Sequence, residues 1–261
     1  MTLSAHDLGL GYAAGHLVVD RQSVTIPPGR ITAVVGPNAC GKSTLLRGLA
    51  GLMRPAGGQV LLDGSDIARL PAVEVATRIG VLPQQPTAPD GITVADLAGR
   101  GRHPHQRWFR QWSCDDEAAV ADALAATGML EHADRPVAEL SGGQRQRAWI
   151  ALVLAQGPQT MLLDEPTTFL DLAHQLDVLE LLRTVNAGRG RTVVMVLHDL
   201  ELAGRYAHHL IAMREGRIVA EGGPSEVVTE EMVSSVFGVD ALVRPDPLTG
   251  TPLVLPRPRA V

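Results

Sequence analysis

Nine consecutive residues, Gly36-Pro37-Asn38-Ala39-Cys40-Gly41-Lys42-Ser43-Thr44, constrain this chain more than any other stretch. Two glycines flank the loop, and Lys-Ser follows the second. Without a Cβ, Gly36 and Gly41 permit a tight turn whose amide N–H groups point inward at phosphate oxygens. Upstream, Ile31–Val35 is a short β-branched run. Downstream, residues 43–52 have helix-forming composition. Strand, loop and helix in that order make a phosphate site, because the helix adds its positive N-terminal end. Lys42 then places a cation on the β- and γ-phosphates, and the Ser43 hydroxyl can enter a Mg²⁺ shell.

The rest of the chain reads as an α/β protein. The first sixty or so residues alternate short apolar runs with Gly/Pro/Asp turns and read as β-rich. From about residue 86 to 140 the character changes. Residues 94–99 and 115–129 are rich in alanine and leucine with acidic first turns, which predicts helices. After Ser141 the alternation returns: helix over 145–154, strand over Thr160–Leu163, helix over 173–186, strand over 192–197, helix over Leu200–Tyr206, then a hairpin through Glu215-Gly216. Such alternation predicts a mainly parallel sheet buried on both faces. From Asp240 onward there are five prolines and no periodicity, which reads as a surface tail.

Composition narrows the function class. At 261 residues the chain accommodates one large domain, or a core with a subdomain. A formal net charge of −5 argues against bulk electrostatic binding to nucleic acid. Two cysteines, Cys40 and Cys114, are too few for a disulfide scaffold and fit a reducing, cytosolic location. The N-terminus shows no basic region followed by an apolar run, and no stretch reaches the ~18 apolar residues of a spanning helix. Service to a membrane would therefore run from one side, through a partner.

Two further motifs carry chemistry. Met161-Leu-Leu-Asp164-Glu165 ends an apolar strand with two carboxylates. Asp164 is placed to supply an oxygen ligand to Mg²⁺, and Glu165 to orient or deprotonate an attacking water. In Leu140-Ser141-Gly142-Gly143-Gln144, Ser-Gly-Gly opening a helix at Gln144 makes a second anion-binding N-terminus with a hydroxyl. One chain needs only one such site per γ-phosphate, so the second suggests service to a nucleotide held by another copy.

In these motifs and their order the chain resembles the ATP-binding cassette (ABC) family, whose signature is Leu-Ser-Gly-Gly-Gln. The resemblance covers nearly the whole length. It implies a P-loop NTPase cassette over residues 1–240 with a RecA-like core, an N-terminal antiparallel β subdomain and an α-helical signature subdomain at about 87–155. Residues 241–261 would follow as a Pro-rich tail. It also implies four more positions. Tyr12 matches the aromatic that stacks on adenine. Gln84 in Leu82-Pro-Gln84-Gln85 matches the glutamine that contacts Mg²⁺ and couples to a partner, with Gln85 as the alternative. Asp171 resembles the loop crossing the dimer interface, and His198 matches the histidine that reaches the γ-phosphate. Lys42, Gln84, Glu165 and His198 would then be catalytic, while Ser43, Gln84 and Asp164 would hold Mg²⁺. ATP would lie between Tyr12 with residues 36–44 of one copy and Ser141, Gly142, Gly143, Gln144 and Asp171 of the other. Many relatives carry a third glycine where this chain has Ala39. Cys40 raises the question of a redox role.

A single cassette resembles an importer subunit that assembles with separate permease chains and, indirectly, a solute-binding lipoprotein at the cytoplasmic face of the membrane. Gly101-Arg-His-Pro-His105, followed by a loop rich in Trp and Phe, looks most like the ferric-siderophore branch, with haem and cobalamin uptake as neighbours. The loop from Arg102 to Trp112, which includes Trp108, Phe109 and Arg110, admits three readings. It is a permease-facing surface, a solvated loop with aromatics folded inward, or a stacking platform for single-stranded nucleic acid. A soluble cassette acting on nucleic acid is the competing class. Such relatives generally carry coiled-coil insertions or two cassettes, whereas this chain has one and no sustained heptads.

Overall fold

The computed structural model describes residues 1–12, 16–106 and 112–258. The chain forms two compact units, Met1–Arg69 with Val194–Val261, and Leu70–Val193.

The first unit opens with β1 (Leu3–Leu10), β2 (Val19–Ile26), β3 (Ile31–Val35), α1 (Lys42–Leu49), β4 (Gly57–Leu62) and β5 (Ser65–Asp66). Strands in the order β2-β1-β4-β5 make an antiparallel sheet, in register from Leu3↔Ile26 on one side and Leu3↔Leu62 on the other. This is the β subdomain expected from the sequence. All five residues of β3 are buried, as its β-branched run requires of a strand covered on both faces. Helix α1 starts at Lys42, one residue earlier than expected, and buries Leu45, Leu46 and Leu49 on one face.

The second unit contains α2 (Ala72–Arg78), β6 (Ile79–Leu82), α3 (Val94–Arg100), α4 (Cys114–Ala126), α5 (Gly142–Gln156), β7 (Thr160–Leu163) and α6 (Leu172–Arg189). Strands β6 and β7 run parallel, from Ile79↔Thr160 to Leu82↔Leu163. The helices begin at side-chain caps: Thr93 for α3, Ser113 for α4, Ser141 for α5 and Asp171 for α6. Helix α5 starts three residues before the predicted 145. Gly142 and Gly143 are poor helix formers, but Ser141 and Gln144 close a reciprocal capping box over them and draw them into the first turn. Its body buries Ala148, Ile150, Ala151, Val153 and Leu154.

At its other end α5 presents carbonyls with no helical partner. Arg102 Nη1 donates to the Ala155 carbonyl at 2.8 Å, and His105 Nε2 donates to that of Gln156 at 2.7 Å. Arg102 also meets Asp116 at 2.8 Å in a largely buried ion pair. The Arg102 guanidinium, aided by Ser113, holds the Asp116 carboxyl below its ordinary range against the opposing effect of burial. The Gly101–His105 segment is thus a bracket on the end of α5.

Strand β8 (Thr192–Val196) starts in the second unit and ends in the first. There follow α7 (Leu200–Tyr206), β9 (His209–Arg214), β10 (Arg217–Gly222), α8 (Pro224–Val227), α9 (Glu230–Phe237), β11 (Ala241–Pro245) and β12 (Pro252–Pro256). In the first unit β3 pairs with β9 in parallel, Thr32↔His209 through Val35↔Ala212, and β10 returns antiparallel to β9 across the expected turn, where Glu215 and Gly216 both have positive φ.

The segment after Asp240, expected as an unstructured tail, is a hairpin. Its prolines sit where a two-stranded ribbon tolerates them: Pro245 opposes Pro252 at one end and Pro256 opposes Ala241 at the other. The pairs between, Leu242↔Leu255, Val243↔Val254 and Arg244↔Leu253, are too short a run to show periodicity beside so many prolines.

Candidate active site

In the first unit, the loop between β3 and α1 is shaped by its two glycines, Gly36 and Gly41, at φ 150° and 105°. A Cβ on Gly36 would stand 2.2 Å from the Met213 carbonyl oxygen, and one on Gly41 2.9 Å from that of Val18. No side chain fits either position. Ala39 holds φ 61°, left-handed backbone that glycine would adopt without strain, and the alanine costs roughly 1–2 kcal/mol there. Its methyl group is nonetheless accommodated at an exposed position. Lys42 is buried, and its Nζ donates to the carbonyls of Gly36 at 2.9 Å and Pro37 at 2.7 Å, so the loop closes around the ammonium. Asn38 is exposed and Ser43 partly so at the rim.

Cys40 is buried beneath the loop. Burial pushes its thiol above the ordinary range despite the opposing pull of Lys42. A thiol held protonated and inaccessible is a poor redox switch. Tyr12 has 66% of its surface exposed, and its Oη shares a hydrogen bond with Thr44 Oγ1 at 3.2 Å and accepts from Arg47 Nη1 at 3.3 Å. The ring is therefore tethered to the first turns of α1 with much of its surface open. His198 is exposed one residue beyond Leu197, whose amide donates to the Val34 carbonyl at 3.1 Å, so the histidine lies level with the start of the phosphate loop.

The second unit carries two groups. In the first, Gln84 Nε2 donates to Glu165 Oε2 at 2.7 Å and Thr168 Oγ1 donates to the same oxygen at 2.9 Å. Of the two candidate glutamines, Gln84 is the one bonded to Glu165. Glu165 has φ 53°, a left-handed conformation that costs on the order of 1–2 kcal/mol and that the surrounding bonds hold in place. Asp164 is buried at the end of β7, its amide donating to the Leu82 carbonyl at 2.8 Å. In the second group, Ser141 Oγ accepts from the Gln144 amide at 3.3 Å while Gln144 Oε1 accepts from the Ser141 amide at 3.1 Å. Gln144 Nε2 also donates to His132 at 3.2 Å.

Asp171 caps α6 and accepts from His174 twice, from its amide at 2.9 Å and its Nδ1 at 2.6 Å; these two bonds, the amide first, hold its carboxyl below the ordinary range. The His174 ring lies so close to Gly143 that a Cβ there would come within 2.3 Å of Cδ2. Gly142 meets Leu170 at an ordinary 3.5 Å. The Ser141–Gln144 turn and the Asp171 loop are in this way packed on each other through a histidine.

His174, Thr168 and Arg47 escaped the sequence reading. Only His174 had a signal available, its place three residues after a helix-capping aspartate. Trp108, Phe109 and Arg110, expected at a permease-facing surface, lie outside the described residues; Trp112 beside them is half-exposed against Gly99. An apolar cleft of about 340 Å³ between α4, α5 and α6 is lined by none of the predicted site residues.

The three side chains expected to hold a cation all offer oxygen: in the first unit the Ser43 hydroxyl, and in the second the Gln84 amide carbonyl and the Asp164 carboxylate. One carboxylate with neutral oxygens suits Mg²⁺, which draws its remaining ligands from phosphates and water. Among the described residues no cluster of three or more His, Cys, Asp or Glu side chains could hold a metal.

The sequence profile of the ABC transporter family matches residues 19–168. A Bacillus subtilis protein named "Probable siderophore transport system ATP-binding protein YusV" is 54% identical, covering 98% of this chain and 93% of its own length. The ferric enterobactin transport ATP-binding protein FepC of Escherichia coli is also 54% identical, over 97% and 93%. Among solved structures, the chain is similar to the dimeric post-hydrolysis state of the ATP-binding cassette MJ0796 bound to ADP and Pi, with TM-score 0.74 and 26% identity over 85% of this chain and 98% of that one.

Proposed function

This chain belongs to the ABC transporter family of ATP-binding proteins, and from that premise we propose that it powers the uptake of an iron(III)–siderophore complex as the ATP-hydrolysing subunit of an importer. The observation that carries the reading is the presence, on one chain, of a closed phosphate loop and a separate capped Ser141–Gln144 helix start locked to Asp171. Two anion-binding N-termini suit a nucleotide shared between two copies, and a dimeric cassette bound to ADP and Pi is among the structures this chain is similar to. The names borne by the two full-length relatives favour ferric siderophores over haem or cobalamin.

Each copy would grip ATP with residues 36–44 and stack Tyr12 on the base. Lys42 would meet the β- and γ-phosphates, and His198 the γ-phosphate. Mg²⁺, when bound through Ser43, Gln84 and Asp164, would neutralise phosphate charge. Glu165, already accepting from Gln84 and Thr168, would orient and deprotonate the attacking water. Gln84 would link this site to permease subunits, which a solute-binding lipoprotein would supply. No helix of the described residues is long and apolar enough to cross a membrane, so the cassette would attach to permeases at the cytoplasmic face.

Glu165→Gln is expected to lower turnover roughly 10²–10⁴-fold while leaving ATP bound in a stable dimer. Lys42→Ala is expected to weaken ATP binding roughly 10- to 100-fold, the value of a lost charge-assisted bond. ATPase assays, nucleotide titration and size-exclusion chromatography read all three; an E165Q protein with ordinary turnover would refute the assignment of the base. Growth of a deletion strain on single ferric siderophores under iron starvation tests the solute, and unimpaired growth on all of them would sink that part of the reading.

A further inference from the structure

We propose that the C-terminal hairpin β11–β12 is a positioning device for His198, acting through Asp246, Arg205 and helix α7. The inference rests on the reading of His198 as a γ-phosphate contact and says what aims it.

Helix α7 has only seven residues, fewer than two turns. Isolated helices shorter than ~12–15 residues are marginal, so its place is set by what it packs against. At its start, Asp199 Oδ1 accepts from the amides of Glu201 at 2.8 Å and Leu202 at 2.9 Å. The cap is fused to the first turn. His198 is the single residue between that cap and Leu197, which is itself tied to Val34. The strand end is fixed, so any shift of α7 falls on the backbone of residue 198.

The hairpin grips the other end. Arg205 Nη2 donates to Asp246 Oδ2 at 2.8 Å, and the Asp246 side chain is mostly buried. Its second oxygen, Oδ1, accepts from the Leu248 amide at 2.7 Å, while its backbone bonds Thr251 at 2.7 Å and Gly250 at 2.8 Å. The Leu248 amide above all, with Arg205, holds this carboxyl below its ordinary range. Beside it, α7 offers Gly204 to Pro252: a Cβ there would already touch the proline ring at 3.5 Å.

The hairpin has its own anchorage. Glu230 of α9 accepts from the Val243 amide at 3.3 Å and faces Arg244 at 3.8 Å, and Arg257 returns to Asp240 by a backbone bond of 2.8 Å. A ribbon fixed on α9 thus holds a short helix whose far end carries the histidine.

The test is steady-state ATPase kinetics on the full-length protein, with Tm measured on each variant. Asp246→Asn keeps an acceptor oxygen for Leu248 but loses the ion pair; Arg205→Met loses the charge and keeps the length. Each is expected to lower kcat about tenfold with KM for ATP and Tm nearly unchanged, as a misplaced reacting group would. The double variant should be no slower than either single one, and Arg205→Lys should restore most of the turnover. Ordinary kcat in both single variants, alongside lost turnover in His198→Ala, would overturn the proposal. So would a drop in kcat that tracks a drop in Tm and that Arg205→Lys fails to rescue. Ordinary turnover in His198→Ala would instead remove the reading of His198 on which it rests.

Discussion

Gly143 is a residue whose identity is dictated by a neighbour rather than by its own backbone. His174 occupies the space a side chain would need and is held there by Asp171. Gly143→Ala is expected to destabilise the protein by about 1–3 kcal/mol, the usual cost of overpacking, measured by chemical unfolding. Removing the obstruction in Gly143→Ala/His174→Ala should recover part of that loss, and strict additivity of the two changes would argue against the contact. Motif spacing made Gly36, Lys42, Ser141 and Glu165 legible in the sequence, because each belongs to a short contiguous pattern. His174 and Thr168 were not legible, since their roles depend on where one loop folds against another. The φ of 53° at Glu165 was equally invisible: nothing in Asp-Glu-Pro announces left-handed backbone, yet strain stored at the proposed base is the kind that binding bonds from Gln84 and Thr168 can hold.

Helix ends are where element-level reading succeeded and failed. Strand β7 and helix α7 fell where the α/β alternation placed them, whereas α5 began three residues early because a capping box outweighed two glycines. The hairpin at the C-terminus was missed because proline content masked two cross-strand apolar pairs, Leu242↔Leu255 and Val243↔Val254. Within the helical region the Arg102–Asp116 pair ties the end of α3 to the first turn of α4 and, through Ala155, to α5. Asp116→Asn is expected to cost about 1.5–3 kcal/mol, the range for a hydrogen bond to a charged group. Because the folded carboxyl titrates below its unfolded value, the stability from this pair is complete above the ordinary carboxylate range near about pH 4. It is lost as pH falls through the lowered folded value. Denaturation followed from pH 7 to pH 2 should therefore show the variant and the parent converging at the acid end; a constant gap would mean that the pair contributes packing alone.

At the scale of the whole molecule, the proposed sharing of nucleotide between copies makes a complementation prediction. A Lys42→Ala chain lacks a working phosphate loop but supplies an intact Ser141 turn; a Ser141→Arg chain does the reverse. Each alone should be nearly inactive, and mixing them should recover turnover from the one intact composite site, assayed against the unmixed proteins. No recovery would count against the shared site. The same picture gives α5 a mechanical character. Fifteen residues at about 1.5 Å each make a rod about 22 Å long. One tip is sealed by Ser141 and Gln144, the other by Arg102 and His105. Caps at both tips restrain fraying, so a push on one tip would not be dissipated as local melting. It arrives at the other as travel, and the pushrod's far bearing, Arg102–His105, is the stretch of chain that leads directly into Trp108 and Phe109.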